Sequence, residues 1–223
     1  MLDPEESIMK HIVPVLSGTL VVLSLVLSGG CALEKPAAAA NPSAAKAGST
    51  APASGAPKVA AASDKLEPYS CGTVERLHTW NGIFAGSQPA AEDLQHAKDN
   101  GIKTILNLRP KTENAGFDEA ALTAKLGLAY HNIPFASPAE LTDAVFDDTR
   151  ALLRDEAKRP LFIHCHSGNR VGAVWLAFRV LDGGVPWDAA LVEAKEVGLK
   201  TPTLQERAKE YVDRVQAAAA AHR

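Results

Sequence analysis

The chain has few sulfurs to cross-link it and no surplus of positive charge. Three cysteines among 223 residues are too few for a disulfide framework, so each has to be read on its own. A formal net charge of −3 shows no basic excess, which argues against nucleic acid as a partner but leaves room for a local phosphate-binding patch. No internal repeat is visible. Metal-ligand spacing is missing as well: His164, Cys165 and His166 stand together, but side chains on a strand alternate in direction and no second ligand pair is in view. The apolar run before Cys31 is too short, and too broken by Gly and Ser, for a comfortable membrane helix.

That run suits the core of a secretory signal instead. Met9-Lys10-His11 leads into "IVPVLSGTLVVLSLVLSGGC", which ends at Cys31. Asp3, Glu5 and Glu6 are foreign to the basic start of such a segment, so Met9 is read as the true start. Ser28, Gly29 and Gly30 before Cys31 resemble a bacterial lipobox, with Leu27 one place further back than usual. The resemblance implies a signal peptide over residues 1–30, a lipidated Cys31 and a membrane anchor in the cell envelope, with the chain facing the periplasm. Because Ala32 and not Asp follows the cysteine, the outer membrane is the expected destination in a Gram-negative cell. An ordinary cleaved signal peptide and an uncleaved anchor are the alternatives. Residues 31–68 then form a disordered Ala/Pro-rich linker. They are almost all Ala, Pro, Ser, Gly and Lys, with nothing large enough to offset the entropy of ordering.

From Tyr69 the pattern changes, and 69–223 reads as one folded domain. "GTVERLHTWNGIFAGSQP" predicts two short strands joined by Asn81-Gly82, a type I′ hairpin turn. Pro89 opens a helix that Gly101 stops. "IKTILNL", "LAYHNIPF" and "PLFIHC" predict strands, with a helix in "FDEAALTAKLG". Thr142 caps a longer helix in which Val145, Phe146, Leu152 and Leu153 form an apolar stripe. "VGAVWLAFRVLDGG" is apolar nearly all round, hence central and buried. Two more helices follow. Strands alternating with helices predict an α/β sandwich with a largely parallel central sheet flanked by helices.

The segment "FIHCHSGNRVGA" carries the chemistry. It places Cys165 at the carboxyl end of a central strand, where such folds put their ligand sites. A helix begins near Arg170, and its free N–H groups and dipole, with the Arg170 charge, favour thiolate over thiol. The backbone N–H groups of His166, Ser167, Gly168, Asn169 and Arg170 can curl into a nest for an oxyanion, with Gly168 supplying the freedom to do so. Arg170 can fork onto two phosphate oxygens. A nucleophile below, donors around and a fork at the rim suit phosphoryl transfer through a cysteinyl intermediate.

"HCHSGNRVGA" resembles the signature loop of cysteine-dependent tyrosine and dual-specificity phosphatases. "IFAGSQPAAEDLQHAKDNGIKTILNLRP", "LGLAYHNIPF" and "HCHSGNRVGAVW", in that order, are similar to the beta-lactamase-hydrolase-like phosphatases of bacteria. The resemblance covers roughly Val74 to Glu196. It implies hydrolysis of a phosphomonoester, either protein phosphotyrosine or a small phosphomonoester, with no cofactor. His164 would orient the loop, and His166 and Asn169 would face the substrate. The loop departs from the common pattern in being C-x4-R, a length shared with rhodanese-type sulfurtransferases. Val171 also stands where most relatives have a hydroxyl that stabilises the leaving thiolate. A sulfurtransferase or a catalytically weak phosphate-binding domain are therefore the alternatives. A phosphatase of this type needs a general acid, expected from the loop after "YHNIPF". Asp143 is the choice and Glu140 the second candidate, with helix capping the plainer role for Asp143. Arg109 is read as a salt bridge near the sheet edge or a part of the site, and Gln88 as loop support. Cys71 either pairs with Cys165 or stays a shielded free thiol.

Overall fold

Three of the predicted strands end within reach of one another, and that convergence builds the site. The computed structural model describes residues 64–222. The signal segment, Cys31 and the tether up to residue 63 lie outside the described residues. Strands β1 (Glu67–Pro68), β2 (His78–Trp80), β3 (Ile83–Gly86), β4 (Thr104–Asn107), β5 (Ala129–Asn132) and β6 (Leu161–His164) form a six-stranded sheet in the order β1-β2-β3-β6-β4-β5. β6 runs parallel to both β3 and β4, and β4 parallel to β5, while β1 and β2 are antiparallel additions. The architecture is the expected α/β sandwich. In register, His164 pairs with Gly86 on one side and Asn107 on the other, so the loops leaving β3, β6 and β4 emerge together.

Alternation along β6 divides the core. Leu161 and Ile163 face one side with Ile83, Ala85 and Leu106, whereas Phe162 faces the other with Ile105. The first side is covered by α3 (Asp143–Arg154), α4 (Asn169–Leu181), α5 (Trp187–Val197) and α6 (Pro202–Ala221). The second is covered by α1 (Ala91–Asp99) and α2 (Glu119–Lys125). α4 is buried continuously from Val171 to Arg179, as its all-round apolar pattern requires. The hairpin turn also has the conformation its sequence demands: Asn81 at φ 45° and Gly82 at φ 75°, both positive as in a type I′ turn.

Three expectations need correction. The fold takes in residues before Tyr69: Leu66 is buried in the main core, β1 pairs with β2, and Arg179 donates to the Asp64 carbonyl at 2.9 Å. The first helix starts at Ala91, two places later than Pro89 suggested. The Asp93 carboxylate accepts the Ala90 N–H at 2.9 Å and the Thr73 N–H and hydroxyl at 3.0 and 2.6 Å, which pins the helix start there. Finally, Cys71 is disulfide-bonded while Cys165 is a free thiol, so these two do not pair.

Candidate active site

The β6–α4 connection is short because glycine lets it turn. Gly168, the residue before α4, sits at φ 81°, and a β-carbon there would come within 2.0 Å of the Val197 carbonyl oxygen. Facing it, Gly198 lies at φ 132°, where a β-carbon would meet the Ser167 carbonyl at 2.7 Å. Neither position tolerates a side chain, so the loop backs directly onto the last turn of α5. Cys165 is 1 % exposed at the floor of a cleft of about 270 Å³ whose lining includes Glu113, Phe135, His166, Arg170 and Leu204. The first N–H groups of α4 have no intrahelical acceptor, and they lie at the end of the loop that carries Cys165.

Arg170 is held from outside. Its two terminal nitrogens donate to the Glu113 carboxylate at 2.6 and 2.7 Å, and one also donates to the Phe135 carbonyl at 3.0 Å. The hydrogen bonds from Arg170 hold the Glu113 carboxyl at about 2 against the opposing effect of burial, and Arg109 adds to the depression. Burial disfavours the Arg170 charge, but Glu113 and Cys165 outweigh it and the net shift is upward.

The other end of the loop is tied just as firmly. The His164 Nε2 lies 2.8 Å from the Glu119 carboxylate, and both are buried. The second Glu119 oxygen accepts from the Gln88 amide at 2.9 Å. Gln88 in turn accepts from Arg109, which donates to Glu113 at 3.0 Å and to the Asn114 carbonyl at 3.0 Å. One polar chain therefore runs His164–Glu119–Gln88–Arg109–Glu113–Arg170 and ties both ends of the loop to the neighbouring segments. Burial alone would raise the Glu119 carboxyl, but His164, Gln88 and Arg109 bring it below the ordinary carboxylate value. Both carboxylates are thus charged acceptors that hold other groups in place.

The residues singled out from sequence are distributed unevenly. Cys165, His166, Ser167, Asn169 and Arg170 all line the cleft. The Asn169 side chain is committed elsewhere: it donates to the Thr201 hydroxyl at 2.8 Å and accepts the N–H groups of Lys200 and Thr201. Its contribution to a bound anion is left to its backbone N–H. Asp143, expected as the proton donor, is not among the lining residues. It stands exposed in the first turn of α3 and pairs with Arg214 of α6. Glu140 accepts the Ala136 N–H at 2.9 Å and the Ser137 hydroxyl at 3.2 Å, also outside the lining. Gln88 supports the loop directly, donating its N–H to the His166 carbonyl at 3.3 Å. Sequence reasoning passed over Glu113 and Glu119. The spacing of Arg109 and Glu113, four residues apart just past a strand, was the available sign of the first.

Comparison with known proteins shows the family and the fold. A family model described as "DSP-PTPase phosphatase fused to NAD+ Kinase" matches residues 67–214. The beta-lactamase hydrolase-like protein of Agrobacterium fabrum is 30% identical over 109 residues, or 46% of this chain, and the chain spans only 24% of that protein's length. Among solved structures, the core catalytic domain of the S. cerevisiae PP-IP phosphatase SIW14, in complex with citrate, superposes with a TM-score of 0.56 at 18% identity, covering 69% of this chain and 96% of that one. A variant of P. aeruginosa TpbA in complex with pTyr gives 0.51 at 20% identity, covering 67% and 95%. At such identities the two structures attest to the fold alone.

Proposed function

Since the chain belongs to the phosphatase family of the dual-specificity and tyrosine type, we propose that it hydrolyses phosphomonoesters through a phosphocysteine on Cys165, with aryl esters such as phosphotyrosine preferred. One observation carries the preference: among the described residues Arg170 is the sole Lys or Arg lining the cleft, and Phe135, Ala136, Pro138 and Leu204 give it apolar walls. A single phosphate has donors there, and an aromatic leaving group has a surface to lie on. A polyphosphorylated substrate would bring further negative charge beside Glu113, whose two cations, Arg109 and Arg170, are already paired with it.

The test is a parallel assay of the full chain on phosphotyrosine peptide, an inositol polyphosphate and thiosulfate with cyanide. Phosphotyrosine is expected to give the highest kcat/KM. Faster turnover of the polyphosphate would reverse the substrate preference, and transfer of sulfur to cyanide without phosphate release would replace the phosphatase reading by the sulfurtransferase one.

We also propose attachment to the cell envelope through a lipidated Cys31, which rests on the signal-like segment before it. The sequence has three cysteines, of which Cys165 is free and Cys71 disulfide-bonded. Intact mass of the mature protein is expected to show the lipid, and an unlipidated Cys31 would end the proposal.

A further inference from the structure

Ester cleavage needs a proton for the departing oxygen, and the cleft offers few sources. The ionisable side chains lining it are Glu113, Cys165, His166 and Arg170. Glu113 is committed to Arg170 and Arg109 and is held at about 2, so it has no proton to give near neutral pH. Cys165 is taken by nucleophilic attack in the proposed reaction. Arg170 stays charged. The segment after β5 and the start of α6 line the cleft with Phe135, Ala136, Pro138, Thr201 and Leu204, none of which is ionisable. Asp143 and Glu140, the acids on the nearby loop, are bonded to Arg214 and to that loop's own groups. His166 remains. It is exposed, follows Cys165 directly in the chain, and its ring makes no hydrogen bond among the described residues. Imidazole is also the side chain best suited to give and retake a proton near neutrality.

We propose that His166 is the general acid and base of this site, so that the proton donor sits on the phosphate loop itself and not on the loop after β5. This rests on the phosphatase reading above. In the first step the Cys165 thiolate attacks phosphorus and the bond from phosphorus to the ester oxygen breaks. That oxygen takes the proton of the His166 imidazolium and leaves as the alcohol or phenol. Phosphocysteine and neutral imidazole remain. In the second step water attacks phosphorus, neutral His166 takes its proton, and the phosphorus–sulfur bond breaks. Hydrogen phosphate, thiolate and imidazolium are the products, so the cycle closes without another reactant. Hydrogen bonds from the loop N–H groups and Arg170 hold the transferring group throughout.

The experiment uses the full chain, as wild type, His166→Asn, His166→Gln and Asp143→Asn, on aryl phosphates graded from nitrophenyl to unsubstituted phenyl. A general acid matters most for the poorest leaving group. For the His166 variants kcat/KM on phenyl phosphate is expected to fall by about 10²- to 10⁴-fold, and on nitrophenyl phosphate by much less. The slope of log kcat/KM against leaving-group pKa should steepen accordingly. Vanadate inhibition in the same range as wild type would show that the cleft itself is intact. A slope unchanged in the His166 variants overturns the proposal, as does a steepened slope in Asp143→Asn alone, or loss of vanadate binding in both His166 variants. A wild type that hydrolyses none of the series overturns the phosphatase reading and this proposal with it, whereas the other failures leave that reading standing.

Discussion

Cys165→Ser is expected to abolish turnover, by about 10⁴-fold or more, while leaving vanadate or phosphate binding close to wild type. In the proposed reaction the loop combines two functions, and this variant separates them. Binding comes from backbone N–H groups and from Arg170, whose outer edge is fixed by Glu113 and the Phe135 carbonyl. The substitution changes none of these. Attack comes from the sulfur, and a hydroxyl in its place is a far weaker nucleophile with no dedicated base beside it in the polar chain. Steady-state kinetics on an aryl phosphate and calorimetric titration with vanadate would measure the two parts separately. An ordinary rate in the serine variant would rule out covalent catalysis.

Arg170→Lys should lose most of the activity as well, by about 10²- to 10³-fold in kcat, the usual cost of removing one preorganised donor from a developing charge. Lysine keeps the charge but cannot grip Glu113 with two nitrogens while presenting others to a phosphate. The variant should therefore raise KM and lower kcat together, and should weaken vanadate binding, which separates it from Cys165→Ser. The same ion pair fixes an acid limit. Glu113 has its carboxyl lowered from 4.5 to about 2, so its stabilising effect is complete above 4.5 and fades as pH falls toward 2. Arg170→Lys should flatten that limb of a urea-midpoint profile, and a wild-type profile with no decline below pH 4.5 would remove the premise.

What could be seen in the sequence was local. The Asn81-Gly82 turn, the buried α4 and the strand–Cys165–Gly168–Arg170 order depend on residues a few places apart, and each has a characteristic pattern. The groups that hold the site do not. Glu119 meets His164 from 45 residues away, and Glu113 meets Arg170 from 57, so nothing near the loop announces either. The partner of Asp143 is equally distant in sequence. A carboxylate after a strand and ahead of a helix reads as a proton donor or a helix cap, and its pairing with Arg214, 71 residues later, leaves no local sign. Leu66 was overlooked because a single leucine after an Ala-rich stretch makes no period, yet it is buried in the core.

The contact between Gly168 and Gly198 has a bearing on redesign of the cleft. Two backbones meet there without a side chain between them, and a β-carbon on either would collide with a carbonyl. That contact offers no volume to trade, so a side chain at either glycine should displace the loop that carries Cys165 and Arg170. The cleft lining itself includes the side chains of Phe135, Ala136 and Pro138, on a segment anchored chiefly by the Phe135 and Ala136 backbone. Changing the size of those side chains leaves the anchoring hydrogen bonds in place. An engineer seeking a wider or differently shaped acceptor for new esters should work from that side and leave the glycine pair untouched.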